Sequence, residues 1–268
     1  MRAIYDDKEP EMIESVVCYI DILGFTKLVE ESCHNGKGND LLKKMNNAIN
    51  EYFEIIKPID DSSGRIKVFT DNAVIGRPIF DDGESELGHT FINFSAYQFA
   101  LALEGFFVRG AITIGDFYIN QQIAFGPALL EAYGLESTKT SEPRIILSDS
   151  AIDLVKSHLN YYADARSAPQ TTSLLKDIDG QWFLNYLNAS IVEYNPEYFD
   201  MSIDYLKKHK EQVVEKLYTY RNEPRILRKY IWVANYHNYF CKENFNWVDE
   251  LQIDKELLLL NPKLIIEE

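Results

Sequence analysis

The sequence predicts an α+β protein, a ferredoxin-like antiparallel sheet flanked by helices and followed by a helical C-terminal extension. Three features predict it. Between residues 14 and 148 the patterns run strand, helix, hairpin, helix, strand, helix, strand. The strand segments are short β-branched runs bounded by Gly, Pro or Asp. From residue 198 onward the pattern turns to two long helical stretches with a broad aromatic face.

Residues 14–23 (ESVVCYIDIL) are apolar and β-branched and read as a buried strand. Gly24 breaks it, and Phe25-Thr26 open a helix with Thr26 as the capping-type residue. The polar stretch 34–40 (HNGKGND) is a loop. Leu41, Met45, Ile49, Tyr52 and Ile56 then recur at helical spacing over about 40–57, and Pro58 ends the helix. Residues 65–70 and 73–79 read as a hairpin with Asp71-Asn72 as its tight turn. A helix is expected at 89–104, a strand at 106–115 (FFVRGAITIG) and a helix at 126–137 opening on Gly126-Pro127. Residues 143–148 form a further strand, and Ser148-Asp149 cap the next helix. Past residue 160 the pattern loosens. Asp177-Ile178-Asp179-Gly180 lacks the remaining ligands of a calcium loop and reads as a turn into a short strand from Trp182 to Leu187. Helices are expected at 198–219 and 224–241. The chain is divided accordingly into a unit of residues 1–190 and a helical extension, 191–268, packed on it.

Apolar residues make up 46% and aromatics 13%, enough for a packed core. A net charge of −15 repels nucleic-acid backbones and anionic lipid, so neither nucleic acid nor membrane is an expected partner. It leaves room for a small anionic substrate, because metal ions reverse the local field. Cys18, Cys33 and Cys241 are an odd, irregularly spaced set and predict no disulfide framework. The N-terminal MRAIYDDKE has no signal-type apolar region, and no run approaches the roughly 20 apolar residues of a membrane span. A cytoplasmic location is expected. The five histidines show no metal-ligand spacing.

The chemistry is carried by two carboxylates. Asp21 stands at the end of an apolar strand and Asp71 in the turn of the next hairpin. In a ferredoxin-like sheet these elements are neighbours, so the carboxylates can converge, and converging carboxylates need a cation or a proton. Hard cations are held by one or two carboxylates plus substrate phosphates. Two such ions about 4 Å apart can clamp the attacking and leaving oxygens of an in-line phosphoryl displacement. Gly24, Phe25 and Thr26 place backbone N–H groups at a helix start, a seat for phosphate.

Tyr19-Ile20-Asp21-Ile22-Leu23-Gly24-Phe25-Thr26 resembles the first metal motif of class III nucleotidyl cyclases, and Lys67-Val68-Phe69-Thr70-Asp71 is similar to their second. Val108-Arg109-Gly110-Ala111-Ile112 resembles the strand whose arginine meets substrate phosphates. Arg109-Gly110-Ala111-Ile112, the run from Phe125-Gly126-Pro127 to Gly134-Leu135-Glu136, and Lys229-Tyr230 with Tyr236-His237-Asn238 are similar to one branch, the bacterial pyrimidine cyclases of Pycsar antiphage defence. The resemblance implies the class III adenylate/guanylate cyclase catalytic fold in residues 1–190. It implies two Mn²⁺ (or Mg²⁺) ions per active site, held by Asp21, Asp71 and the carbonyl of Ile22. It also implies a homodimer with active sites at the interface and conversion of UTP to cyclic UMP, with CTP to cyclic CMP next. The product would reach a separate cyclic-nucleotide-responsive effector. Gly24, Phe25 and Thr26 would seat the triphosphate, Arg109 would add charge, and Lys67, Phe69 and Tyr133 would border the base.

Purine cyclases carry an Asn and, four residues on, an Arg on the interface helix; the equivalent places here are Leu130 and Gly134. That departure weighs against the alternative of a purine cyclase. A catalytically silent nucleotide-binding regulator is the other alternative. For single residues plainer roles stand beside these: an ion-pair partner for Arg109, a solvated edge residue for Lys67, a core or dimer contact for Tyr133.

Overall fold

The computed structural model describes residues 4–60, 62–191 and 198–258. Its elements are β1 (Ile13–Ile22), α1 (Phe25–His34), α2 (Gly38–Ile56), β2 (Arg65–Phe69), β3 (Asn72–Pro78), α3 (Glu84–Leu103), β4 (Val108–Ile119), β5 (Ala124–Phe125), α4 (Pro127–Lys139), β6 (Ile145–Leu147) and α5 (Asp149–Leu159). They continue with α6 (Gln170–Ser173), β7 (Leu174–Lys176), β8 (Trp182–Leu184), α7 (Phe199–Thr219), α8 (Pro224–Asn244) and α9 (Lys255–Leu258). The division expected at 190/191 abuts residues 192–197, which lie outside the described residues.

The sheet runs β2-β3-β1-β4-β6-β8-β7, with β5 paired to the end of β4. Every pairing is antiparallel except β4 with β6. The first four strands, ordered β2-β3-β1-β4, are the expected ferredoxin-like core, and helices flank the sheet. β5 and β7 were not anticipated; two and three residues are too few to show a period. α3 begins at Glu84 rather than 89, because Gly83 at φ 77 admits the chain to a first turn rich in Glu. β4 runs on to Ile119, its partnership with β1 extending to the pair Ile13 and Phe117.

Strand alternation gives the sheet two apolar faces. Val16, Cys18, Ile20, Ile75 and Ile112 form a core with Met45 and Ile56 of α2 and Phe91, Phe94 and Leu101 of α3. On the opposite face Ala111, Ile146 and Phe183 share a core with Ala132 of α4 and with Leu206, Val213, Tyr230 and Trp232 of α7 and α8. The C-terminal helices are therefore fastened to the sheet by burial. A polar clasp adds to this. Arg144, 1% exposed, pairs with Asp177 and Asp179 in the β7–β8 turn. Trp232 Nε1 donates to Asp177 Oδ2 at 2.7 Å. His209 and His237 stack in the same core with Nδ1 to Nδ1 at 3.0 Å, flanked by the Tyr186 hydroxyl and the Leu251 carbonyl. Among the described residues no helix is long and apolar enough to cross a membrane, and all three cysteines are free.

Candidate active site

The register of the sheet brings the key side chains into one row. Asp21 of β1 lies opposite Asn72 of β3 on one side and Arg109 of β4 on the other, and Asn72 lies opposite Phe69 of β2. Phe69, Asn72, Asp21 and Arg109 thus share a face across four strands. Two residues back, Tyr19 shares that face, its ring edge-on to Tyr133 of α4 with centroids 5.7 Å apart. The hairpin turn is Thr70-Asp71, not Asp71-Asn72, since Phe69 and Asn72 close the ladder. Thr70 takes the positive φ of 55 that a two-residue hairpin asks of its first central residue.

This turn aims Asp71 at Asp21. Thr70 Oγ1 donates to Asp71 Oδ1 at 2.7 Å and Asn72 Nδ2 donates to the same oxygen at 3.2 Å. The Tyr19 hydroxyl in turn donates to Asn72 Oδ1 and fixes that amide. The Asp71 carbonyl accepts from the Ile22 amide at 3.2 Å, tying the turn to the last residue of β1. Burial, followed by the facing Asp71 carboxylate, pushes the Asp21 carboxyl up to about 7 even though Arg109 pulls the other way. Burial and the surrounding carboxylates raise the Tyr19 phenol as well, so it stays a donor.

Arg109 is held from two sides. Its Nε and Nη2 donate to Asp21 Oδ2 at 3.3 and 3.1 Å, its Nε lies 2.7 Å from Glu136 Oε1, and its Nη1 donates to the Thr140 carbonyl at 3.4 Å. Burial raises the Glu136 carboxyl, with Arg109 and Lys229 opposing. Lys229 of α8 reaches the same neighbourhood, and burial together with Arg109 holds its ammonium below the usual lysine range.

The remaining candidates are placed as follows. Gly24 at φ 73 precedes α1 and no side chain caps that helix, so Thr26 is its second residue and not its cap. The first-turn amides of α1 lack intrahelical acceptors, next to the end of β1 that carries Asp21. Lys27 of that turn pairs with Glu223 before α8. Lys67 spends its ammonium on the carbonyls of Gln121 and Gln122, which anchors the β4–β5 turn. Phe69, at the β2 end of the row, is 72% exposed and Tyr133 of α4 is 53% exposed. Sequence reasoning missed Tyr19, Asn72, Glu136 and Lys229 as parts of this site. Glu136 had a signal: it continues the buried stripe of Ala128 and Ala132 on α4.

Among the described residues no set of three or more His, Cys, Asp or Glu side chains is placed to hold a metal ion. The donor set at Asp21 and Asp71 is all oxygen and its two carboxylates repel, which fits a hard divalent cation completed by phosphate, carbonyl and water oxygens.

No protein-family profile matches the chain, and no curated protein does. Among solved structures, a class III adenylyl cyclase-like ATP-binding protein from Pseudomonas aeruginosa is similar over 53% of this chain and 35% of its own, at 18% identity and a TM-score of 0.42. This chain therefore spans about a third of that protein's length. The guanylyl cyclase Cya2 is similar over 57% of this chain and 80% of its own, at 15% identity and a TM-score of 0.43.

Proposed function

We propose that this chain is a divalent-cation-dependent nucleotidyl cyclase acting on a pyrimidine nucleoside triphosphate, UTP before CTP. The observation that carries the reading is the meeting of Asp21 and Asp71 beside the uncapped start of α1. Asp21, Asp71 and the Ile22 carbonyl would hold two Mn²⁺ or Mg²⁺ ions, which supply Lewis-acid activation of the ribose 3′-hydroxyl and neutralise the departing charge. The amides of Gly24, Phe25 and Thr26 bind the triphosphate at the positive end of α1. The 3′-oxygen forms its bond to the α-phosphorus while the α–β bridging bond breaks. The 3′-hydroxyl proton passes to water and pyrophosphate departs. Arg109, anchored by Glu136 and the Thr140 carbonyl, would keep its place beside the reacting phosphates with Asp21 holding a cation.

Leu130 and Gly134 stand where purine cyclases carry Asn and Arg, which supports a pyrimidine; Phe69 and Tyr133 narrow the space left for the base. Phe69, Phe125, Leu130 and Tyr133 are exposed apolar residues around this face, and a homodimer that covers them would place each active site at the interface. Leu130→Asp is expected to leave a folded monomer with little activity, read by light scattering and turnover. The cyclic product would act on a separate effector in antiphage defence. The test is incubation with Mn²⁺ and all four ribonucleoside triphosphates, with products resolved by mass. Cyclic UMP or CMP supports the reading. A cyclic purine nucleotide removes the pyrimidine assignment and keeps the carboxylate chemistry.

A further inference from the structure

A second polar cavity lies at the far end of β3 from Asp71. It encloses about 180 Å³ between the end of α2, the loop before β2, β3 and the first turns of α3. Arg77 lines it. On β3 the row Ala73, Ile75, Arg77 faces α2 and α3, so a guanidinium occupies a place where the two preceding residues are apolar core. Arg77 is 5% exposed. Its Nη1 donates to the Ser63 carbonyl at 3.0 Å, while its buried Nε and Nη2 have no hydrogen-bond partner among the described residues. A buried cation with two unmade hydrogen bonds is costly, and a guanidinium edge of this kind matches two oxygens of one anion. The other lining groups suit the same ligand. Lys57 and His89 are exposed at the opening, and Ser85 and Asn93 add neutral donors. Glu86 also borders the cavity and attracts Arg77, offsetting part of its charge.

We propose that this cavity is a binding site for a compact oxyanion, a phosphate or carboxylate group, which the Arg77 guanidinium grips by rotating its covered Nε and Nη2 edge towards the ligand, with Lys57, itself paired with Glu54, at the mouth. The site is independent of the Asp21–Asp71 reading, because it uses other residues at the opposite end of the sheet.

The test is thermal unfolding of the full chain, without divalent cations and at matched ionic strength, against rising inorganic phosphate and, in a parallel series, malonate. General salting stabilisation acts equally on wild-type and substituted proteins, so the difference between them reports the site. Wild-type protein and Asp71→Asn are expected to gain the same saturable rise in Tm, and Arg77→Gln to lose it, with affinity weakened roughly 10-fold or more. A larger rise with phosphate than with malonate assigns a phosphate group, and the reverse a carboxylate. Should Arg77→Gln not fold, Lys57→Ala with Ser85→Ala is expected to weaken the response several-fold. The proposal is overturned if neither anion gives the wild-type protein a saturable rise in Tm, if folded Arg77→Gln keeps the full response, or if the Lys57 and Ser85 double substitution does.

Discussion

Asp71 Oδ1 accepts from Thr70 and Asn72, and the carboxylate faces Asp21 across the end of β1. Removing one of the two charges should therefore relieve repulsion while destroying the proposed cation site. Asp71→Asn is expected to fold at least as stably as the wild type without metal and to lose the rise in Tm that Mn²⁺ gives the wild-type protein. Mn²⁺ titration of both proteins by calorimetric unfolding checks this. Glu136 acts at one remove, as the anion that holds Arg109. Glu136→Gln is expected to destabilise the fold by about 1–3 kcal/mol, measured by denaturant unfolding, because it removes one of the two carboxylates that pair with the partly buried Arg109 guanidinium. Asp21 was legible in the sequence because a carboxylate ending an apolar strand is out of place without a partner, and Asp71, an ordinary turn residue by itself, because a neighbouring hairpin turn can supply that partner. Glu136 and Asn72 were not. Glu136 breaks into an alanine stripe, a signal that names no partner until α4 is laid over β4. Asn72 reads as turn chemistry until the register moves the turn back by one residue onto Thr70.

At the scale of elements, the ferredoxin-like core was legible because its strands are β-branched runs of five residues or more bounded by turn residues, and β5 and β7 were not because they are ladder fragments of two and three residues made by tertiary contact. Close approach of β1 to β4 rests on Gly110. A Cβ there would lie 2.3 Å from the Tyr19 carbonyl oxygen, and strand backbone cannot give way without shifting Asp21 against Arg109. Gly110→Ala is expected to cost roughly 3 kcal/mol or more, or to prevent folding. Gly134 is the contrasting case, a helical glycine of α4 whose added Cβ meets nothing within 4 Å. Gly134→Ala is expected to raise stability by about 0.5–1 kcal/mol. Thermal unfolding of the two variants side by side checks both signs.

Across the whole molecule, the C-terminal helices and the sheet share a core that holds the His209–His237 pair. Burial lowers both imidazoles, His237 to about 4 and His209 well below its ordinary value. Both are neutral in the fold and bind protons more readily when unfolded. Their contribution is fully present above about pH 6.5 and is lost as the pH falls towards 4. Asp21 acts in the opposite sense over part of this window, since its raised carboxyl favours the fold as it protonates below about 7. In an Asp21→Asn background the raised Glu136 and Glu131 carboxyls still oppose the histidines, and the His237 contribution alone is expected to lower stability by roughly 3 kcal/mol between pH 6.5 and 4. Urea unfolding across that range checks it; a flat profile would remove the buried pair from the account of acid sensitivity. The aromatic face of α7 and α8 was visible in the sequence as a face, but the sheet residues it covers were not, because they lie far away along the chain. The proposed function stands on Asp21 and Asp71 together making a cation-dependent cyclising site. The most direct measurement is Mn²⁺-dependent pyrophosphate release from UTP and CTP by the purified protein, wild type against Asp71→Asn. Release with Mn²⁺, its absence on chelation, and a loss of roughly 100-fold or more in Asp71→Asn are predicted. Equal release by the two proteins, or none from either nucleotide with metal bound, would contradict it.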